Sequence, residues 1–163
     1  MGSLLRTVVF TVLVPGTVAM FIPWWILPKD ARWHTDVFGI VALILAGAGL
    51  GIYFWCAFWA FASYGQGTPL PLDPPKRLVT HGLYQMVRNP MYVGVGTLVA
   101  SEAIAFHSAN LAIYLLIGSV FVYLFVLLYE EPTLRNKFGA GYEEYCRGVP
   151  RWIPRLSARD RDR

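Results

Sequence analysis

The sequence predicts an all-α, polytopic integral membrane protein with four transmembrane helices and a C-terminal amphipathic cytosolic helix. Hydrophobic residues make up 56% of the 163 positions, more than a soluble domain of this size carries. They are gathered in runs long enough to cross a bilayer, with short polar breaks between them. We expect a single membrane domain over 1–163, with spans at about 4–27, 37–62, 90–107 and 109–129 and a cytosolic tail at 130–163.

The first span contains Pro15 and Pro23. Proline is tolerated inside membrane helices, so we expect a kinked helix rather than a broken one. The run is too long for a signal peptide and lacks a small-residue cleavage site. Tryptophans typical of a membrane interface lie near its end, namely Trp24, Trp25 and Trp33.

The second span carries Gly47, Gly49 and Gly51, a small-residue stripe that predicts close packing against another helix. The segment 63–87 that follows is rich in proline, which favours an extended, stiff chain. A loop of this length beside a membrane is often functional, and a plain connector is the alternative.

The third span is short for a hydrocarbon core of ~30 Å. Asn89-Pro90 predicts its start, because asparagine is a favoured N-cap and proline fits the first helical position. Glu102 lies inside the span. It either faces a cavity or a partner, or reaches the far interface.

The fourth span is predicted to end before Glu130 and Glu131. Carboxylates at a helix C-terminus are unfavourable unless a cation meets them, and that cation is either Arg88 or the ammonium of a ligand. The alternative for Glu131 is a cap on a following helix that begins at Pro132. Apolar residues at helical spacing predict an amphipathic tail helix on the membrane, namely Leu134, Phe138, Tyr142 and Tyr145.

Charge sets the expected orientation. The net charge is +4. From residue 135 onward there are eight basic residues against four acidic ones. Beside membrane spans, a basic tail indicates contact with anionic lipid rather than nucleic acid. Lysine and arginine are also concentrated in 63–88, so both termini and this segment are expected in the cytosol.

A polar group of residues marks the mouth of the third helix, namely His81, Tyr84, Arg88, Asn89 and Tyr92. The helix N-terminus there suits an anionic ligand group. No nucleophile–base triad or phosphate loop stands out, and Cys56 and Cys146 have no metal-ligand spacing to a histidine, so they are expected to be reduced thiols. The site therefore suits a reactive cofactor and catalysis by positioning.

Four motifs carry a family resemblance. They are His-Gly-x-Tyr-x-x-x-Arg-Asn-Pro-x-Tyr at 81–92, Leu-Leu-Tyr-Glu-Glu-Pro at 127–132, Phe-Gly-x-x-Tyr-x-x-Tyr at 138–145 and Val-Pro-Arg-x-Ile-Pro at 149–154. In this order and spacing, the sequence resembles the isoprenylcysteine carboxyl methyltransferase and phospholipid N-methyltransferase superfamily. The resemblance covers roughly the C-terminal half.

The resemblance implies an integral membrane methyltransferase that uses S-adenosylmethionine, faces the cytosol and takes a lipid or prenyl-type substrate from the bilayer, with no metal and no nucleic acid. Cofactor contacts are implied for His81, Gly82, Leu83, Tyr84, Glu130, Glu131, Tyr142 and Tyr145. Arg88, Asn89 and Tyr92 are implied where cofactor and substrate meet. Glu130 would meet the cofactor's amino group with Glu131 in support, and Gly65-Gln-Gly67 would stand in for a glycine element of the family.

Alternatives remain at this point. Membrane sterol reductases, which use a nicotinamide cofactor, share the tail pattern, but four spans and Glu130-Glu131-Pro132 argue against them. A non-catalytic scaffold does not explain the polar group at one helix mouth. An isoprenylcysteine carboxylate, a phosphatidylethanolamine amine and a small thiol are all compatible acceptors. An amine must lose a proton, for which Glu102 would be the base, whereas a carboxylate attacks directly.

Overall fold

The structure, a computed structural model, describes residues 2–58 and 77–154, with side chains from residue 8 onward. Within these residues every regular element is helical, which confirms the all-α prediction there. The α-helices are α1 (Gly2–Leu13), α2 (Ile22–Ile26), α3 (Val37–Phe54), α4 (Pro90–Ala105), α5 (Ala109–Phe125), α6 (Glu131–Phe138) and α7 (Ala140–Gly148). π-helical turns cover Thr17–Phe21 and Val126–Glu130, and a 3₁₀ turn covers Gly82–Gln85.

Three stretches of the described chain are long and apolar enough to cross a membrane, namely Val8–Ile26, Val37–Phe58 and Ala109–Phe138. Their large apolar side chains point outward and are exposed, as in Ile44, Leu116 and Phe121. Such a surface is suited to lipid and not to water. The chain is therefore an integral membrane protein.

The remaining predicted span, α4, is apolar but has only 16 residues. At 1.5 Å per residue it rises about 24 Å, short of a ~30 Å core. It packs along both α3 and α5. The end of the second predicted span, 59–62, and the Gly65-Gln-Gly67 element lie outside the described residues.

Proline reshapes the first span without ending it. Between Pro15 and Pro23 the chain forms a π-helical turn, in which the N–H of Ile22 donates to the carbonyl of Thr17 instead of that of Val18. The next residue, Pro23, has no N–H. The Val18 carbonyl therefore has no backbone donor, and it accepts instead from the Tyr114 hydroxyl of α5 at 2.9 Å.

Close packing of α3 on α4 depends on two glycines. A Cβ atom at Gly49 would lie 2.8 Å from the Gly94 carbonyl oxygen, and one at Gly94 would lie 3.0 Å from the Gly49 carbonyl oxygen. The predicted small-residue stripe is thus confirmed at Gly49. It is wrong at Gly47 and Gly51, where an added Cβ would meet nothing within 4 Å.

The helix of the fourth span does not end at Glu130, which corrects the predicted boundary at 129. The chain stays helical from Ala109 to Phe138. A π-helical turn precedes Pro132, as one precedes Pro23, and in it the Glu131 N–H donates to the Val126 carbonyl. The widened turn accommodates the missing proline N–H, so neither glutamate lies at a helix terminus.

The predicted tail helix is divided in two. Gly139, with φ of +54°, turns the chain between α6 and α7. Tyr142 and Tyr145 of α7 are buried and pack with Val149, Leu78 and residues of α6. The apolar side of α7 therefore faces the protein, and the expectation that these tyrosines lie on the membrane surface is wrong.

Candidate active site

The start of α4 is fastened to the chain that follows α7. Pro90 is the first helical residue, as predicted. The Asn89 side chain does not cap the helix, which corrects that expectation, because its Nδ2 donates to the Arg151 carbonyl at 3.1 Å. The Arg88 backbone N–H donates to the Pro150 carbonyl at 2.9 Å. Two hydrogen bonds thus hold residues 150–151 against the helix mouth.

Glu131 is bound by two arginines. Its side chain is almost completely buried, with 5% exposed. One carboxylate oxygen accepts from Arg88 Nη1 at 3.0 Å and Arg151 Nε at 2.6 Å, and the other accepts from Arg151 Nη2 at 2.9 Å. A bidentate guanidinium is the geometry in which a buried carboxylate is best compensated. Glu131 therefore joins three separate segments, and the interpretation of it as a helix cap is wrong.

Arg88 and Arg151 differ in what else they touch. Arg88 Nη1 also donates to the Cys146 sulfur at 2.9 Å. Cys146 is a free cysteine, as expected. Hydrogen bonding to Glu131 raises the pKa of Arg151, which therefore stays charged at any physiological pH. Arg151 belongs to the Val-Pro-Arg-x-Ile-Pro motif at 149–154, from which no role for this residue was expected.

Glu130 has a different partner from its neighbour. Its Oε2 accepts from the Tyr92 hydroxyl at 2.9 Å. Among the described residues no lysine or arginine forms an ion pair with it. Of the two cations expected to meet the carboxylates, Arg88 or a ligand's ammonium, Arg88 pairs with Glu131 and not with Glu130. Glu130 is thus a largely enclosed carboxylate held by a neutral donor.

A cavity of about 90 Å³ brings together eight of the eleven predicted site residues. They are Tyr84, Arg88, Asn89, Tyr92, Glu130, Glu131, Tyr142 and Tyr145. Apolar side chains complete the wall, among them Val79, Met91 and Val126. The helix mouth, the end of the fourth span and the tail therefore share one pocket, as the motif order suggested.

His81, Gly82 and Leu83 do not line this cavity. His81 and Gly82 are exposed, and Leu83 packs on the buried cluster of Cys56, Val79 and Tyr84. Gly82 has φ of +62°, and a Cβ there would overlap the indole of Trp55. Backbone conformation and packing are enough to require glycine at this position.

Three of the four tyrosines that line the pocket are held neutral by burial. Burial holds the pKa values of Tyr84, Tyr142 and Tyr145 above the ordinary range for a phenol. The Tyr145 hydroxyl donates to the Tyr84 carbonyl at 2.7 Å, which ties α7 to the 3₁₀ turn. These phenols can donate hydrogen bonds and exclude water, but they carry no charge for acid–base work at neutral pH.

A larger cavity, of about 530 Å³, lies between α4 and α5. Its walls are apolar and include Gly96, Ala100 and Gly118. Tyr123 and Trp152 lie at the end nearer the polar pocket, and Tyr92 lines both cavities. This cavity could not be predicted from the sequence, because a uniformly apolar span does not indicate which helix face is left unfilled.

Two other polar features lie outside both linings. Glu102 has a buried Oε2 with no hydrogen-bond partner in the described part of the chain, and it lines neither cavity. At the far end of α4, ligand atoms of His34, Asp36 and His107 lie within 4.8 Å of one another, and the two imidazoles stack at 3.8 Å. The two histidines are thus remote from the pocket, as predicted, but they form a cluster that sequence spacing did not reveal.

Fold and site together define a helical membrane protein with a carboxylate pocket beside the start of α4, next to an apolar cavity. The model of the phospholipid methyltransferase family matches residues 41–141, which run from within α3 through α4, α5 and α6 to the start of α7. The chain belongs to this family, as its motifs indicated.

Two curated relatives carry more specific names. The chain is 32% identical to Methanethiol S-methyltransferase 2 of Bradyrhizobium diazoefficiens, over 78% of this chain and 40% of the relative. It is 30% identical to Protein-S-isoprenylcysteine O-methyltransferase B of Arabidopsis thaliana, over 76% of this chain and 61% of the relative. The chain thus spans about half the length of these relatives. No solved structure matches it.

Proposed function

We propose that this chain is an S-adenosylmethionine-dependent methyltransferase whose acceptor carries a hydrocarbon chain and enters from the bilayer. One observation carries the proposal: Tyr92 lines both cavities and donates to Glu130 where they meet. A polar donor in one space and an apolar acceptor in the other would come together at that residue. Family membership and the names of both relatives support methyl transfer.

Charge at the pocket fits the donor's amino-acid end. The two negative charges of Glu130 and Glu131 balance the two positive charges of Arg88 and Arg151. Both arginines, however, bind Glu131. Glu130 is therefore the carboxylate open to a ligand's ammonium group, which would bring a charge-assisted hydrogen bond. A volume of about 90 Å³ suits this end of the donor and not its nucleoside. The exposed turn at 81–83 is the proposed contact for the rest.

When bound, the donor supplies an electrophilic methyl group on its sulfonium sulfur. The protein's part is to hold donor and acceptor in line and to keep water out. Tyr84, Tyr142 and Tyr145 close the pocket as neutral aromatic walls. Arg88 and Asn89 line the polar pocket beside Tyr92, where the donor and the acceptor's head would meet. A carboxylate or thiolate acceptor needs no base, which fits a pocket without a free histidine in its lining.

The acceptor's apolar part is assigned to the cavity between α4 and α5. At about 530 Å³ it has the size of ordinary ligand sites and apolar walls. The isoprenylcysteine name of one relative agrees with such an acceptor. The second candidate is a small thiol, which the name of the other relative favours. A methanethiol-sized acceptor would leave most of this cavity unused.

The proposed architecture is one domain over 1–163 with four crossings and both termini in the cytosol. α4 would be the remaining crossing, third along the chain, because it packs along α3 and α5 and is joined to α5 by only residues 106–108. The pocket would then face the cytosol, on the side richer in lysine and arginine. The tail after α7 would remain on that side.

Methyl transfer from isotopically labelled S-adenosylmethionine is the test. The full chain in detergent would be offered prenylcysteines, phosphatidylethanolamine, long-chain thiols and methanethiol in parallel, with mass spectrometry of the products. We expect labelled methyl on an acceptor with a long hydrocarbon chain. Product from methanethiol alone would favour the small-thiol candidate, and no product from any of them would contradict the function.

A further inference from the structure

The apolar cavity between α4 and α5 has a defined direction. On α4 its lining residues run from Tyr92 to Ala100, and on α5, which runs back beside α4, they run from Tyr123 to Tyr114. Eight residues of helix correspond to about 12 Å. One end of the cavity therefore adjoins the polar pocket, and the other lies about two turns deeper in the membrane.

Tyr114 lies at the deep end of this cavity. It is the lining residue of α5 nearest to that helix's start, and its hydroxyl donates to the Val18 carbonyl of the first span at 2.9 Å. Val18 is itself part of the lining. The phenol thus reaches from the fourth span to the first at the bottom of the cavity.

The position of this phenol is fixed by backbone chemistry. The Val18 carbonyl is an acceptor that Pro23 and the π-helical turn leave without a backbone donor. Inside a membrane such an acceptor is costly unless a side chain satisfies it. The Tyr114 hydroxyl is its donor, and this hydrogen bond holds the ring at the bottom of the cavity instead of in the lipid.

We propose that Tyr114 is the floor of the acceptor cavity and sets the length of hydrocarbon chain that the enzyme accepts. The inference rests on the proposed function and adds a specificity-determining residue to it. A chain that reaches the floor gains the burial of each methylene, and a longer chain must bend or leave its end outside. Gly96 and Gly118 hold the walls open above the floor. A Cβ at Gly118 would meet nothing within 4 Å.

The test is the dependence of kcat/KM on chain length for two acceptor series, S-alkyl-N-acetylcysteines and 1-alkanethiols, each from methyl to hexadecyl. For the wild type we expect kcat/KM to rise by up to about fourfold per buried methylene and then to fall. Tyr114→Ala should move the optimum to longer chains in whichever series is methylated. Tyr114→Phe keeps the ring but loses the hydrogen bond to the Val18 carbonyl, so its optimum should lie between those of the wild type and Tyr114→Ala.

Two glycine variants test the same inference independently, in case Tyr114→Ala does not fold. Gly118→Leu fills the cavity above an intact floor and should move the optimum to shorter chains. Gly47→Leu is the matched control, since a Cβ at Gly47 also meets open space but this residue lines neither cavity. It should leave the optimum unchanged.

The possible outcomes distinguish a failure of the role of Tyr114 from a failure of the proposed methyl transfer. An optimum that stays fixed in both Tyr114→Ala and Gly118→Leu, or a wild-type rate independent of chain length, would overturn the role of Tyr114 while methyl transfer stands. Calorimetry with S-adenosylmethionine, run on each variant, should give wild-type affinity. No transfer to either series by a wild type that also fails to bind the donor would overturn both proposals.

Discussion

At the scale of single residues, two adjacent glutamates have unlike surroundings. Glu131 accepts from Arg88 and Arg151, whereas Glu130 accepts from a tyrosine. Successive residues of a helix point about 100° apart, so neighbours in sequence face different partners. The same residue type therefore has two surroundings here: Glu131 joins three segments, and Glu130 is the carboxylate for which we propose a cationic ligand.

Replacing Glu131 by glutamine should destabilise the fold. Two guanidinium groups would lose the carboxylate that compensates them, and breaking a buried pair in this way costs about 3–5 kcal/mol in the free energy of unfolding. Thermal unfolding in detergent would measure the loss. Glu143→Gln is the matched control, because its ion pair with Arg135 is about half exposed and should contribute at most ~1 kcal/mol. Equal losses for the two changes would show that the buried ion pairs of Glu131 stabilise the fold no more than the exposed pair of Glu143.

Arg88 is expected to resist conservative replacement. Its Nη1 serves Glu131 and the Cys146 sulfur at once, and a lysine ammonium on a flexible stem reproduces such contacts poorly. Arg88→Ala should lower methyl transfer strongly, and Arg88→Lys should recover little of it. Rates would be compared in variants that still unfold cooperatively. Near-normal transfer by Arg88→Lys would instead identify Arg88 as an interface anchor.

At the scale of elements, the helix pairs are set by small residues and prolines. Gly49 and Gly94 let α3 and α4 approach backbone to backbone. Pro23 and Pro132 each follow a π-helical turn that keeps the helix continuous. The glycines position α4, which lines both cavities, and the π-helical turns contain Val18 of the larger cavity and Glu130 of the smaller one.

Alanine substitutions should distinguish the glycines in the α3–α4 contact from a glycine that meets open space. Gly49→Ala or Gly94→Ala puts a methyl group against a backbone oxygen, which cannot move aside as a side chain can, so a loss of about 1–3 kcal/mol is expected. Gly47→Ala meets open space and should be neutral or stabilise by up to about 1 kcal/mol through helix propensity. Thermal unfolding of the three variants in one detergent measures this. A Gly47→Ala that destabilises as much as Gly49→Ala would contradict the assigned interface.

At the scale of the whole molecule, the sequence predicts the helical class, three of the crossings and the start of α4 at Pro90. It also predicts that the motifs near Arg88, Glu130 and Tyr142 meet, because their order matches a known family. The continuation of the helix through Pro132 was missed, since proline more often marks an end than a π-helical turn. The Arg151–Glu131 pair depends on long-range folding, which no local pattern in the sequence encodes.

Topology is testable on the full chain. With four crossings and both termini in the cytosol, reporters fused at Arg32 and at Arg159 should lie on opposite sides of the membrane, because an odd number of crossings separates them. Paired reporters active in only one compartment would measure this. If both reporters lie on the same side, α4 does not cross the membrane. The motifs that line the pocket would then not share one side of the bilayer.

The central claim is that Glu130 binds the ammonium of a methyl donor, and calorimetry of the full chain in detergent tests it most directly. A charge-assisted hydrogen bond contributes about 1.5–3 kcal/mol, so Glu130→Gln should weaken S-adenosylmethionine and S-adenosylhomocysteine by roughly ten- to a hundredfold. NADPH is the control ligand and should not bind. Unchanged donor affinity in Glu130→Gln would contradict the role of Glu130, and NADPH binding without donor binding would contradict the proposed activity.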